Sequence, residues 1–179
     1  MSVKITYFVH GTTTDNEKDL ATGWNPGKLS DLGVEQSIKL GKIVDKKFDA
    51  VFCSDLNRAV ASARLAFGNK FKIIPDKRLR EANYGIFTGK PVTFKDKLAD
   101  YVQKPFPDGE SYLDVEKRIR DFLKMLKTDY FGKHVAIVAH QAPQLALDVI
   151  IKKKTWQEAI REDWRNKKAW QPGWDYEFI

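Results

Sequence analysis

The sequence predicts an α/β fold in which a mainly parallel sheet carries helices on both faces. Short apolar runs typical of buried strands alternate with helical patterns through the first half of the 179 residues. A further apolar run, followed directly by a helical pattern, recurs after residue 130. The length suits one domain and the chain has no evident linker or internal repeat. We therefore expect residues 1–179 to form a single domain.

The first half of the chain predicts three strands separated by two helices. The strands are short β-branched and aromatic runs, and a serine or aspartate able to cap precedes each helix. Helical spacing in the first helix is carried by Leu32, Ile38, Leu40, Ile43 and Val44. The predicted elements are a strand over Lys4–Val9, a helix from the N-cap Ser30, a strand over Ala50–Cys53, a helix through 54–59 to Phe67, and a strand over Phe71–Ile74 closed by Pro75 and Asp76.

The second half predicts an irregular middle followed by a strand between helices. Glycines and prolines make 79–91 and 105–109 loops, with a helix over Phe94–Val102 between them. Ser111 and Asp114 resemble a capping box. Its helix should run to about Leu126 and bury Leu113, Ile119, Phe122, Leu123 and Leu126. The remaining predictions are a strand over His134–Ala139, a helix over Pro143–Ile151 and a closing strand over Trp174–Ile179.

Composition favours a soluble, cytoplasmic globular protein. Apolar residues make up 42% and charged residues 31% of the chain, with no membrane-length apolar run and no signal-peptide pattern. A single cysteine, Cys53, excludes an internal disulfide and a cysteine-based zinc site. The net charge of +7 is spread along the chain, and the lysines at 152–154 are expected to end a helix. The sequence indicates no cofactor and no oligomeric state.

Two histidines carry the functional prediction. The strand that ends at Val9 and the strand that ends at Ala139 are each followed by a histidine, His10 and His140. Neighbouring parallel strands present their carboxyl ends at one edge of a sheet, where open α/β folds bind ligands. We therefore expect the two imidazoles to lie together at that edge.

Arg58 and Glu81 complete a coherent chemistry at the same edge. Arg58 lies in the first turn of a helix that follows a strand, and Glu81 lies in the loop after the third strand. One neutral imidazole would attack phosphorus, while the other imidazole, the guanidinium and backbone N–H groups hold the phosphoryl oxygens. A carboxyl group would protonate the leaving oxygen and later deprotonate water. This chemistry needs no metal ligands, and none cluster in the sequence.

Five sequence elements resemble the histidine phosphatase superfamily, which includes the cofactor-dependent phosphoglycerate mutases. The family pattern after its first strand, Arg-His-Gly-x-Thr-x-x-Asn, reads Val-His-Gly-Thr-Thr-Thr-Asp-Asn at 9–16. The other elements, in family order, are Ser-Asp-Leu-x-Arg-Ala at 54–59, Leu-x-Glu-x-x-x-Gly-x-x-x-Gly at 79–89, Pro-x-Gly-Glu-Ser at 107–111 and the histidine at 140. The resemblance covers residues 3 to about 150.

The resemblance implies a three-layer α/β/α sandwich, phosphoglycerate mutase-like, and a metal-independent phosphatase. It implies that His10 is the phosphorylated nucleophile, that Glu81 is the proton donor, and that Arg58 and His140 bind phosphate. The substrate is expected to be a small phosphorylated metabolite or, as an alternative, a phosphoprotein. The expected substrate-binding set is Gly11, Thr13, Asn16 and Gln141.

The sequence departs from the family pattern at three places. Thr12 replaces a frequent glutamate, and Gln141-Ala142 replaces a glycine-rich continuation after the second histidine. Val9 replaces an arginine that contacts the phosphoryl group in the family. A charge-assisted hydrogen bond contributes about 1.5–3 kcal/mol, so its loss corresponds to roughly 10- to 150-fold in binding or rate. Candidate substitutes for that charge are Lys28, Arg80 and Lys90.

Three alternatives to a phosphatase stay open at this point. Val9 favours a module that binds a phosphorylated ligand or partner and turns it over poorly. A phosphoglycerate mutase would use the same chemistry, although mutases resemble longer chains. Nucleic-acid binding through the net charge has no aromatic-basic groove motif behind it. Substrate specificity is expected to come from residues 87–103 and from the tryptophan-rich tail.

Overall fold

A computed structural model describes residues 2–167 and 173–179 of the chain. Within these residues, five strands and six α-helices follow one another along the sequence, with short 3₁₀ segments between some of them. The strands are β1 (Val3–Val9), β2 (Ala50–Ser54), β3 (Ile73–Asp76), β4 (His134–Ala139) and β5 (Trp174–Phe178). The helices are α1 (Thr14–Glu17), α2 (Asp31–Ile43), α3 (Asn57–Phe67), α4 (Tyr112–Asp129), α5 (Gln141–Lys152) and α6 (Trp156–Arg161).

The strands form one mostly parallel sheet in the order β3-β2-β4-β1-β5. β4 lies between β2 and β1 and runs parallel to both, while β5 adds an antiparallel edge next to β1. Val9 is in register with Ala139, so β1 and β4 end at the same level. His10 and His140, the residues that follow these two strands, are therefore neighbours at the same edge of the sheet.

Strand residues point alternately to two apolar cores, one on each face of the sheet. Along β2, Phe52 packs with α4 and α5, whereas Val51 and Cys53 pack with α2 and α3. β4 divides in the same way and is buried on both faces, as expected for a central parallel strand. Helices therefore cover both faces, which confirms the predicted α/β fold with a mostly parallel sheet.

The loop after β1 touches α2 at two glycines. A Cβ atom on Gly11 would lie 2.3 Å from the carbonyl oxygen of Gly33, and one on Gly33 would lie 1.9 Å from that of Thr12. Backbone therefore packs directly on backbone here. This contact fixes the start of α2 against the segment that carries His10.

Most predicted elements appear, with shifted ends. Ser30 and Ser111 cap α2 and α4, and Ser111 forms the capping box with Asp114. β3 includes Pro75 and Asp76 rather than ending before them, because their backbone pairs in register with the end of β2. The helix predicted from Pro143 begins at Gln141, directly after His140.

The helical spacing of Leu32, Ile38 and Ile43 correctly predicted α2, although these side chains are exposed, since α2 packs through its small residues and Leu40. Two predictions of detail were wrong. Leu113 is 44% exposed rather than buried, because it follows the N-cap on the outer side of α4. The predicted helix over Phe94–Val102 is a 3₁₀ segment, Lys95–Tyr101, with non-helical backbone at one residue. This segment is ordered by aromatic packing instead, with Tyr101 stacked 3.9 Å from Phe106.

Within residues 2–167 and 173–179, a search of the helices finds none with the length and apolar character needed to span a membrane. That finding agrees with the short apolar runs of the sequence.

We expect Gly33→Ala to lower the free energy of unfolding by about 1–3 kcal/mol, the usual cost of overpacking. The intrinsic gain from alanine in a helix, about 0.5–1 kcal/mol, is smaller. Glu35→Ala, an exposed change on the same helix, is the control. Urea denaturation of the three proteins measures the difference. A stabilised Gly33→Ala protein would show that the loop after β1 moves freely away from α2.

Candidate active site

His10 lies directly after β1 and is held in one tautomer. Its backbone N–H donates to the carbonyl of Ala139 at 3.0 Å, and its ring Nδ1 lies 2.7 Å from the carbonyl oxygen of Gly11. A carbonyl only accepts, so Nδ1 carries the proton and Nε2 keeps its lone pair. Burial, and secondly the nearby Arg58, lower the pKa of His10 to about 3. The ring is therefore a neutral nucleophile at neutral pH.

Arg58 is buried next to His10 at the start of α3. Its Nε donates toward Nε2 of His10 at 3.2 Å, and its Nη1 and Nη2 donate to the carbonyls of Asn25 and Gly23. Only 2% of the residue is exposed. Burial lowers the pKa of Arg58, yet an arginine keeps its charge in proteins. A permanent cation thus faces the nucleophilic nitrogen.

His140 completes the pair of imidazoles. Its ring lies edge-on to that of His10 with the centroids 4.9 Å apart. The residue is fully buried, and neither ring nitrogen has a hydrogen-bond partner among the described residues. Burial first, and then the charge of Arg58, hold the pKa of His140 well below its usual value. Tyr7 fixes the backbone by donating to the His140 carbonyl and accepting from its N–H.

Glu81 lies against the amino end of α5, the helix that follows His140. Its Oε1 accepts from the N–H groups of Ala82 and Ala142 at 2.9 and 3.0 Å, and its Oε2 accepts from Gln141 N–H at 3.3 Å. The first N–H groups of a helix have no partner within the helix, and here carboxyl oxygens of Glu81 accept from two of them. Glu81 is 7% exposed and lines the same cavity as His10.

A pair of residues that sequence reasoning missed holds the Glu81 loop in place. The Arg118 guanidinium of α4 donates to the backbone carbonyls of Arg78, Arg80 and Glu81 at 2.7–3.0 Å. Glu110 forms a two-point ion pair with the same guanidinium. Glu110 is the glutamate of the Pro-x-Gly-Glu-Ser element, so the motif itself was an available signal. Arg118 has no such signal, because its partners are backbone carbonyls.

The expected substrate-binding residues divide into two groups. Gly11, Asn16 and Gln141 line the cavity. Thr13 does not: it is fully buried, and its hydroxyl caps α1 by accepting from the N–H of Asn16. Thr13 therefore shapes the loop that contains Asn16, and no part of it is exposed to the cavity.

The cavity has a volume of about 660 Å³ and a mixed lining. Its polar lining, called the floor below, includes His10, Arg58 and Glu81. Its apolar lining, called the apolar wall, includes Leu20, Val92, Phe94, Leu98, Trp164 and Trp174. Residues 87–103 and the tryptophan-rich tail, from which the sequence predicts substrate specificity, both contribute to this lining.

Val9 also lines the cavity, and none of the three predicted substitute cations does. Arg80 is engaged elsewhere, in a two-point ion pair with Asp55 and above the ring of Trp24. The lining cations other than Arg58, among the residues described, are Lys95 and Arg165.

The paired imidazoles, the buried guanidinium and the carboxylate lie together at one sheet edge, as the sequence predicts for a site that transfers phosphoryl groups. The family comparison agrees: the model of the Histidine phosphatase superfamily (branch 1) matches residues 7–166, and the chain belongs to this superfamily.

Relatives within the superfamily include both mutases and phosphatases. A 2,3-bisphosphoglycerate-dependent phosphoglycerate mutase of Streptococcus pyogenes is 32% identical over 141 residues, which are 74% of this chain and 57% of the mutase. The chain thus spans little more than half the length of this curated relative. A mycobacterial glucosyl-3-phosphoglycerate phosphatase, solved with VO3, has a TM-score of 0.76 at 25% identity, covering 88% of this chain and 86% of its own. The alpha-ribazole phosphatase of Shigella flexneri has a TM-score of 0.76 at 24% identity, covering 88% and 84%, and shares the fold.

We expect Arg118→Gln to lower the turnover number for an aryl phosphate roughly 10-fold or more, since a charged-donor hydrogen bond contributes about 1.5–3 kcal/mol. Losing the guanidinium releases the loop that carries Glu81. Arg120→Gln is the matched control, because that arginine lies on the same helix, is half-exposed and pairs with Glu116. Steady-state kinetics of both variants is the measurement. Equal turnover in the two would show that Arg118 does not position Glu81.

Acidification should destabilise the protein partly through His10. The unfolded chain binds a proton on this histidine near its ordinary pKa, whereas the folded site does so only near pH 3. Between those values the unfolded state holds more protons, so the free energy of unfolding falls as pH falls. Replacing His10 by Gln should flatten that slope by up to about 1.4 kcal/mol per pH unit. Urea denaturation from about pH 7.5 to pH 5 tests this, and parallel slopes would contradict it.

Proposed function

We propose that the protein is a metal-independent phosphatase that hydrolyses phosphomonoesters through a phosphohistidine on His10. The observation that supports this most is the geometry of His10, whose Nδ1 proton is tied to a carbonyl while a guanidinium faces Nε2. Membership of the superfamily and its phosphatase relatives support the same reaction class.

In the first step, the Nε2 lone pair of His10 attacks phosphorus and forms a P–N bond. The bond between phosphorus and the ester oxygen breaks, and that oxygen takes a proton from the carboxyl group of Glu81. Arg58 and His140 bind the phosphoryl oxygens as their negative charge moves through the transition state. An alcohol leaves, and the phosphoryl group stays on His10.

In the second step, the ionised Glu81 removes a proton from water. The resulting hydroxide attacks phosphorus, the P–N bond breaks, and the electron pair returns to Nε2 of His10. Inorganic phosphate then leaves and the original protonation states are restored. The contacts of Glu81 with the amino end of α5, directly after His140, support this assignment, because one carboxyl group then serves both steps.

The apolar wall of the cavity favours a small phosphorylated metabolite whose alcohol portion is itself partly apolar. Burial of such a group contributes about 25 cal/mol per Å², while the polar floor binds the phosphoryl end. A phosphoprotein remains the alternative substrate, and it would present a phosphorylated side chain to the same floor.

The test is hydrolysis of an aryl phosphate, with and without a chelator, by wild type, His10→Ala and Glu81→Gln. We expect chelator-resistant activity that is lost in His10→Ala, because no other group forms the covalent intermediate. Glu81→Gln should fall by about 10²–10⁴-fold, the contribution of general acid–base catalysis. Trapping of labelled phosphate on wild type and not on His10→Ala checks the intermediate. Activity that survives His10→Ala would refute the mechanism.

Val9 favours a second candidate, a module that binds a phosphorylated ligand without effective turnover. The residue faces the cavity where the family pattern carries an arginine. Vanadate binding by a protein that hydrolyses nothing in a broad phosphometabolite panel would support this candidate. Interconversion of phosphoglycerates in the same panel would instead support a mutase, the activity of the Streptococcus pyogenes relative.

A further inference from the structure

The part of the site that would bind the phosphoryl group, around His10, has one cationic side chain, Arg58, that is hydrogen-bonded to His10 among the described residues. Both histidines are neutral and Val9 contributes no charge. Arg58 uses three of its five N–H donors on His10, Asn25 and Gly23, which leaves one on Nη1 and one on Nη2 for the phosphoryl group. A phosphomonoester carries up to two negative charges near neutral pH. A second cation at the cavity would balance that charge.

Arg165 lies where such a cation is needed. It lines the cavity together with His10, and its positive charge is one of the causes that lower the pKa of His10. Its charge also lowers the pKa of the buried hydroxyls of Tyr84 and Tyr112, against the larger effect of their burial. Lys95, the other lining cation, is not among the causes that shift the pKa of His10. The positive charge of Arg165 therefore acts on the His10 ring.

Arg165 is held in place by a buried carboxylate. Its Nε and Nη2 donate to Oδ2 of Asp163 at 3.1 and 2.9 Å, and its backbone N–H donates to Oδ1. Asp163 is 5% exposed and also accepts from the side chain of Gln141, the first residue of α5. The ion pair uses two nitrogens of the guanidinium and leaves Nη1 outside it.

The segment around Arg165 is attached to the sheet edge as well. Trp164 packs on Trp174 with the ring centroids 5.7 Å apart, and Trp174 packs on Tyr7. β5 pairs Trp174 with Tyr7, two residues before Val9. Two sets of contacts therefore hold the segment around Arg165. One runs through Asp163 to Gln141 of α5, and the other runs through Trp164 to Trp174 of β5.

We propose that Arg165 binds the phosphoryl group of the substrate and supplies the positive charge that the family pattern places at position 9. The inference rests on the proposed function, since it concerns the same phosphoryl site. It assigns the charge to the tail, outside the five motif elements.

The test measures the affinity for orthovanadate and the kcat/KM for an aryl phosphate in matched variants. Arg165→Gln should weaken vanadate binding roughly 10- to 150-fold, the range for one charge-assisted hydrogen bond. Arg161→Gln, an exposed arginine on α6 whose side chain is 70% exposed, should leave it unchanged. Lys95→Gln is expected to change it much less than Arg165→Gln.

Adding Val9→Arg to the Arg165→Gln protein tests whether Arg165 acts through its charge or only supports the local structure. We expect it to restore vanadate binding to the Arg165→Gln protein and to improve wild type much less, because one cation then replaces the other. If Arg165 only supported the local structure, a charge at position 9 would not restore vanadate binding.

Arg165→Lys decides the question should Arg165→Gln fail to fold. Lysine keeps the positive charge but lacks the planar guanidinium that directs both Nε and Nη2 at Oδ2 of Asp163. Vanadate binding within about 10-fold of wild type supports the proposal, since one charge-assisted hydrogen bond is retained. A larger loss overturns it.

Unchanged vanadate affinity in Arg165→Gln, or no rescue by Val9→Arg, would overturn the proposal. Failure of the phosphatase mechanism looks different. In that case wild type shows no turnover, or turnover survives His10→Ala, while vanadate binding still depends on Arg165.

Discussion

The parallel pairing of β1 with β4 is the constraint on which the site depends. Because Val9 and Ala139 are in register, residues far apart in the chain become neighbours at the sheet edge. The His10 N–H extends the ladder by donating to Ala139. A one-residue slip would turn every side chain of β1 to the other face and separate the imidazoles. The two apolar cores therefore position the two imidazoles as well as stabilise the fold.

Burial gives these side chains their chemistry. Desolvation is the largest cause of the low pKa of both histidines, and Arg58 adds to it. Neutral imidazole is a nucleophile, whereas imidazolium is not. The guanidinium tolerates the same burial because it keeps its charge and donates to two backbone carbonyls. One environment therefore yields a neutral attacking group beside a permanent cation.

Local sequence patterns predicted the fold and placed His10, Arg58, Glu81 and His140 at one edge of the sheet. These patterns are properties of short stretches of sequence. Strand runs, the caps at Ser30 and Ser111, and histidines at strand ends can all be recognised within a few residues. Tertiary packing decided the rest. The exposure of Leu113 depends on how α4 turns against the sheet, and Arg118 binds carbonyls that have no sequence signature. The tail carries a pocket cation that no motif of the resemblance includes.

The position of that cation follows from the chain of contacts around α5. His140 precedes the helix, Glu81 accepts from its first N–H groups, and Gln141 binds the buried Asp163 that holds Arg165. Glu81 and Arg165 are therefore both held by contacts with the amino end of α5. A valine at position 9 places no charge on β1 and leaves these contacts intact. In this chain the sheet positions His10, whereas the packing of the tail against α5 positions Arg165.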